Sequence, residues 1–155
     1  MCIRDSPCIA YPNFDTWVDQ PVKDGVVLIG DAAGHNDPII GQGLSVAHRD
    51  VRLVRDAMIN TSRWSTGMFD DYVSERTERM SRLRIIARIS SIRDAGFGQE
   101  GLRLRHEIHE RMAQNPDFAL LATGAFLGPE ALPAELYSET FTEQIIGQPI
   151  WSDLP

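Results

Sequence analysis

The sequence predicts an α/β fold that is mostly α, with one or two strands near its N-terminal end followed by about four helices. Three observations predict it. A short apolar run, Val26-Val27-Leu28-Ile29, is bounded by Gly25 and Gly30 and rich in β-branched residues, the pattern of a strand. From residue 43 the apolar period changes to three- and four-residue steps, the pattern of an amphipathic helix. Beyond it, helical patterning is broken at the loop 60–67, at Gly96-Phe97-Gly98, at Asn115-Pro116 and after Gly128.

Taken in order, residues 8–14 (CIAYPNF) read as the end of a strand that Pro12 confines to an edge or an exit. Residues 15–25 read as a connecting turn, with Pro21 and Asp24-Gly25 as turn residues. Residues 26–29 are expected to form a buried strand, and residues 30–43 a glycine-rich loop. The first helix should run over residues 43–60, with Leu44, Ala47, Val51, Val54 and Met58 on its apolar side and Arg49, Arg52 and Arg55 opposite. After a loop at 60–67, a long helix is expected over 68–93, burying Tyr72, Met80, Leu83, Ile86 and Ala87. Further helices are expected over 100–114 and 117–127. The tail carries Pro129, Pro133, Pro149 and Pro155 and should form short helical turns on the surface. A strand such as 26–29 needs neighbours to satisfy its backbone, which leads us to expect that this chain is the C-terminal piece of something larger.

The 155 residues are 43% hydrophobic and 24% charged, the composition of an ordinary globular domain. No run of about 18 apolar residues is present, so no membrane span is expected. A net charge of −7 argues against general nucleic-acid binding, which needs an electropositive face. Cys2 and Cys8 are too few and too terminal for a disulfide framework or a zinc site, and a reducing, cytoplasmic setting is the expectation. The leading MCIRDS fits nothing downstream and resembles a translated adapter tail, so residues 1–7 are a candidate non-native leader.

The most informative segment is GDAAGHNDPIIGQG, Gly30 to Gly43. A strand that turns through glycines into a helix presents the helix's unpaired first N–H groups and the positive end of its dipole. Gly41 and Gly43 let backbone approach a ligand closely. Pro38 stiffens the loop. Asp31, at the end of the strand, is placed to accept hydrogen bonds from hydroxyl groups. A ligand with hydroxyls and a polar or anionic ring edge suits both ends of the loop.

This string resembles the second flavin-binding motif of the class A FAD-dependent monooxygenases, the para-hydroxybenzoate hydroxylase-like group. The motif runs approximately G-D-A-A-H-x-x-x-P-x-x-G-Q-G-x-N, with an Asp a few residues later. The chain matches at Gly30, Asp31, Ala32, Ala33, Pro38, Gly41, Gln42, Gly43 and Asp50. It departs at Gly34, where His is common, and at Ser45, where Asn is common. The resemblance implies that residues 8–60 are the C-terminal part of a Rossmann-like FAD/NAD(P)-binding domain and that residues 61–155 are a C-terminal helical region. It implies cofactor-binding roles for Gly30, Asp31, Ala32, Pro38, Gly41, Gln42, Gly43, Leu44 and Ser45. Asp31 would bind the ribityl hydroxyls of FAD, and the loop from Pro38 to Gly43 with the helix start would face the N1–C2=O edge of the ring. NAD(P)H would be the reductant, with O₂ and a small organic substrate as partners. The missing N-terminal part of the same enzyme would complete the site. His35 is a candidate proton relay or, more simply, a loop-stabilising residue. Asp37 should make a local turn bond. The same superfamily resemblance leaves a flavin-dependent reductase or halogenase as an alternative, and a non-catalytic helical module as another.

Three further patterns look functional and are read otherwise. Residues 96–101 spell G-x-G-x-x-G, but follow a helix rather than a strand, and so read as a helix break. His106-Glu107-Ile108-His109-Glu110 is one residue short of H-E-x-x-H, and reads as a solvated helix face. Arg76, Arg79, Arg82, Arg84, Arg88 and Arg93 read as a solvated basic face or a contact with an acidic surface of the missing domain.

Overall fold

The computed structural model describes residues 15–151. The candidate leader and the strand end expected at 8–14 lie outside the described residues. Two strands, β1 (Val22–Lys23) and β2 (Val26–Val27), pair antiparallel, Val22 opposite Val27 and Lys23 opposite Val26. Asp24-Gly25 makes the tight turn between them, with Gly25 at φ 78°. The segment expected to be only a connecting turn therefore carries a strand. The expected buried strand over 26–29 is corrected: the strand ends at Val27, with one further bond from the Leu28 N–H to the Pro21 carbonyl at 2.8 Å, and Val26 is 53% exposed. A two-residue ribbon has one partner and cannot cover both faces of that apolar run.

Five α-helices follow among the described residues: α1 (Gly43–Ile59), α2 (Asp70–Ala95), α3 (Gly98–Gln114), α4 (Pro116–Leu127) and α5 (Glu139–Ile146). Short 3-10 turns at Pro129–Ala131 and Ala134–Tyr137 occupy the proline-rich tail, but the expectation of turns lying on the surface is corrected: the tail also carries α5 and buries Leu132, Leu136, Tyr137, Ile145, Ile146 and Ile150, because these apolar side chains cover α2, α3 and α4. The helix ends have local causes. Asn115 accepts the Asp117 N–H at 3.0 Å and Pro116 occupies the first helical position of α4. Ser138 caps α5 through the Phe141 N–H, and Gly147 ends it in the left-handed region at φ 86°.

The long helix α2 is the spine, packing against α1, α3 and α4. Met80, Leu83, Ile86 and Ile89 of α2 meet Ile108 of α3, Leu121 of α4, and Ile145 and Ile146 of α5 in one continuous core. Phe118 and Phe141 close its edge with rings 5.1 Å apart, edge to face. No helix among the described residues is long and apolar enough to cross a membrane.

The face of α1 differs from its expected apolar stripe. Leu44 is 72% exposed and Val51 49% exposed, while the buried residues are Val46 and Asp50. The surface α1 packs on explains the buried aspartate: much of it is the backbone of a 3-10 turn at Gly30–Ala33 together with arginines of α2, and that part is polar.

The G-x-G-x-x-G string is the corner between α2 and α3. A Cβ built on Gly101 would lie 2.5 Å from the Gly96 carbonyl carbon, so the two backbones touch where side chains cannot fit. Arg105 donates to the carbonyls of Arg93, Asp94 and Gly96 at 2.8–3.2 Å and closes the end of α2. In the His-Glu string, His106 is exposed and paired with Glu110 at 3.3 Å, and His109 Nδ1 lies 2.7 Å from the Arg105 carbonyl. No group of three or more metal-ligating side chains comes together among the described residues.

Candidate functional site

The loop between β2 and α1 is built in three pieces. Residues Gly30–Ala33 form the first 3-10 turn, ended by Gly34 at φ 117°. Gly34 is the one residue type that fits there, because an added Cβ would lie 2.6 Å from the Thr16 carbonyl oxygen. Residues 35–37 then run beside the segment 15–16. The Thr16 N–H donates to the His35 carbonyl at 3.0 Å, the His35 N–H to Thr16 Oγ1 at 3.3 Å, and the Asp37 N–H to Asp15 Oδ1 at 3.2 Å. The last piece is the 3-10 turn Pro38–Ile40. Asp37 Oδ1 accepts the Ile39 N–H at 2.9 Å, which is the local turn bond its position suggests, and Gly41 closes the turn at φ 65°.

Beneath the loop lies a buried charge cluster. Asp50 of α1 is fully buried; its Oδ2 accepts the Gly30 N–H at 2.9 Å and Arg76 Nε at 3.0 Å, and its Oδ1 accepts Arg79 Nη2 at 2.6 Å. Arg76 Nη2 reaches on to the carbonyls of Gly30 at 2.9 Å and Gly34 at 3.0 Å. The Trp17 ring lies 5.8 Å from the Arg76 guanidinium and 5.9 Å from that of Arg84. Tyr72 donates its hydroxyl to the Leu28 carbonyl at 2.6 Å, pinning the chain just before the loop. Burial, reinforced by the negative charge of Asp50, pushes the Tyr72 phenol up to about 12.

This cluster corrects the reading of the α2 arginines as a solvated or domain-facing run. Arg76 and Arg79 are 2% and 6% exposed and hold α1 and the loop. Arg82 pairs with Glu78 and donates to the Pro129 carbonyl, Arg84 pairs with Asp15, and Arg88 donates to the Ile150 carbonyl. The run fastens this chain's own segments to α2.

Above the loop, Asp31, His35, Pro38, Gly41, Gln42 and Gly43 line one cleft of about 250 Å³, with Asn36, Val46 and Met80. Asp31 is exposed, and its carboxylate has no hydrogen-bond partner among the described residues. The start of α1 is equally open. The first intrahelical bond runs from the Val46 N–H to the Gln42 carbonyl, no side chain caps the helix, and no acidic residue stands in its first turn. The first-turn N–H groups and the positive dipole end are therefore uncompensated, which favours a negatively charged or electron-rich group there by ~0.3–1 kcal/mol. A Cβ built on Gly41 or Gly43 would meet nothing within 4 Å, so backbone is exposed to close approach on the cleft side.

The other site residues named from the sequence lie elsewhere. Gly30 sits behind the cleft, tied to Asp50 and Arg76. Ala32, Leu44 and Ser45 are exposed and do not line it. The Gln42 side chain is engaged with the Ala125 carbonyl and ties the loop to α4. The roles of Asp50, Arg76, Arg79 and Trp17 escape sequence reasoning. One signal was available: Tyr72, Arg76, Arg79 and Leu83 follow the three- and four-residue steps of the buried face of α2.

The chain matches no protein-family model and no solved structure. Over 49 residues it is 41% identical to the mitochondrial ubiquinone biosynthesis monooxygenase COQ6 of Schizosaccharomyces pombe. The matched stretch covers 32% of this chain and 10% of that protein. This partial similarity relates the chain to a monooxygenase.

Proposed function

We propose that the chain is the C-terminal part of an FAD-dependent monooxygenase and supplies the ribityl and ring side of its flavin site. The observation that carries the reading is the cleft: the unpartnered Asp31 carboxylate and residues of the open N-terminus of α1 line it together. Those groups fit a flavin. A carboxylate accepts from the hydroxyls of a sugar alcohol, and helix N–H groups suit the edge of a ring on which negative charge develops. At about 250 Å³ the cleft is smaller than the ~300–1,000 Å³ of complete small-molecule sites. The proposal therefore assigns the adenine and pyrophosphate contacts to an N-terminal part of the same enzyme. The similarity to a ubiquinone biosynthesis monooxygenase supports oxygen transfer as the reaction class.

When bound, the flavin would supply the redox chemistry, with NAD(P)H as reductant and O₂ and a small organic molecule as the other reactants. This chain's residues bind and orient. Asp31 would hold the ribityl chain, the Pro38–Gly43 backbone would approach the ring, and the first N–H groups of α1 would stabilise charge on it. The test uses the full-length protein that contains this chain. It should purify yellow, consume O₂ with NAD(P)H and a small organic substrate, and lose FAD affinity on Asp31→Ala with its fold intact. Colourless protein that leaves FAD fluorescence unquenched on titration overturns the proposal.

A further inference from the structure

We infer that Arg76 is a positioning residue that sets the direction of Asp31 by clamping the turn on both sides of it; as a statement about the flavin site, this rests on the reading just given. The clamp has three anchors. Arg76 Nε is held by Asp50 Oδ2, and Arg76 Nη2 donates to the carbonyls of Gly30 and Gly34, the residues that bracket Asp31-Ala32-Ala33. Asp50 closes the circuit by accepting the Gly30 N–H, and the Gly34 N–H returns to the Asp31 carbonyl at 3.1 Å. Three of the four polar backbone groups at the ends of the turn are thus tied to one planar guanidinium or its carboxylate, the fourth closes the turn on itself, and the Asp31 side chain is left to the cleft. Arg76 lines no part of that cleft and would act through Asp31.

The chemistry calls for arginine. A guanidinium presents donors in a fixed fork, so one side chain can meet a carboxylate on one edge and two carbonyls on another. An ammonium is a point charge on a flexible stem and would satisfy Asp50 while holding the carbonyls poorly. Arg79 also neutralises Asp50 but touches neither carbonyl of the turn, so charge balance and clamping are separable at Arg76.

Three variants separate them: Arg76→Met, Arg76→Lys, and Ile108→Val in the core far from the loop. Amide hydrogen exchange of the full chain without ligand reads the clamp. Arg76→Met should speed exchange at Gly30 and Gly34 about tenfold or more relative to amides of α5. Ile108→Val should move loop and helix amides together. In the full-length protein, FAD affinity should fall about tenfold or more in Arg76→Met, as for other residues that orient a ligand-binding group. The visible flavin spectrum should shift, and Ile108→Val should change neither. Arg76→Lys should restore stability but not FAD affinity. Unchanged loop exchange in Arg76→Met, or full recovery of FAD affinity in Arg76→Lys, overturns the inference. Wild-type protein that does not bind FAD sinks the flavin reading instead, and the exchange measurement then decides the clamp by itself.

Discussion

Asp50 of α1 and Arg76 of α2 form an ion pair at 3.0 Å with side chains 0% and 3% exposed, and the backbone of the Gly30–Gly34 turn completes the coordination of both. The pair joins three elements that are distant in sequence. It also explains why α1 turns an aspartate inward: part of the surface it meets is made of N–H and guanidinium donors.

Removing the carboxylate should therefore be severe. Asp50→Asn keeps an acceptor for the Gly30 N–H but leaves Arg76 and Arg79 buried without a full counter-charge. Breaking such a buried pair costs about 3–5 kcal/mol. Urea denaturation of the variant should show a loss of that size, and a loss under about 1 kcal/mol would mean that water or another group reaches the arginines.

Stability should also fall in alkali through Tyr72. Its ordinary value is 10.0 and its folded-state value about 12, so the folded chain favours the neutral phenol. A group raised in this way contributes fully below the unfolded value, and the contribution is lost as pH rises from 10.0 towards about 12. The loss is on the order of 2 kcal/mol across that window. In Tyr72→Phe this part of the alkaline decline should vanish, while the orphaned Leu28 carbonyl costs about 1 kcal/mol at neutral pH. Denaturation midpoints of both proteins across the window test the difference.

The helices are legible in the sequence because glycines, prolines and caps mark their ends and because the α2 core repeats at helical steps. Tyr72, Met80, Leu83, Ile86 and Ala87 are all buried as their spacing leads one to expect. The place of the strand is legible, since β2 falls within the apolar run, but its burial and extent are not, because a four-residue apolar run carries no information about how many neighbours it has. Half of the site can be read: the glycines, Asp31 and Pro38 announce a loop shaped for close approach. The half beneath it cannot, because an arginine belongs at the surface unless a partner is known, and the partners here are Asp50 and two backbone carbonyls. Periodicity fails on α1 for the same reason, as it presumes an apolar surface opposite.

The glycine string at 96–101 offers a test of structural against ligand-binding use. Gly101→Ala would place Cβ 2.5 Å from the Gly96 carbonyl carbon, where backbone on both sides must move. The cost should be in the range of overpacked sites, about 1–3 kcal/mol by denaturation. On the proposed flavin reading, FAD affinity of the full-length protein should be unchanged, because the corner lies outside the cleft. A fall in FAD affinity with stability intact would return this string to the candidate ligand sites.

Gly34 supplies the sharpest prediction, because it stands where the resembling motif commonly has histidine. Introducing that residue looks conservative by comparison with the motif, but the structure assigns it a penalty. Gly34 has φ 117°, a region side chains rarely enter, and its Cβ direction points at the Thr16 carbonyl oxygen 2.6 Å away and at Trp17 Cα 3.1 Å away. Backbone strain of this kind costs about 1–3 kcal/mol before the clash is relieved. Relief requires moving segment 15–17, whose bonds to His35 and Asp37 hold the middle of the loop. Gly34→His and Gly34→Ala should therefore both destabilise the chain by more than about 1 kcal/mol. Both should also loosen the loop amides in hydrogen exchange, alanine doing so nearly as much as histidine because Cβ is the offending atom. Histidine tolerated at Gly34 with no loss in thermal stability would show that segment 15–17 packs elsewhere in solution.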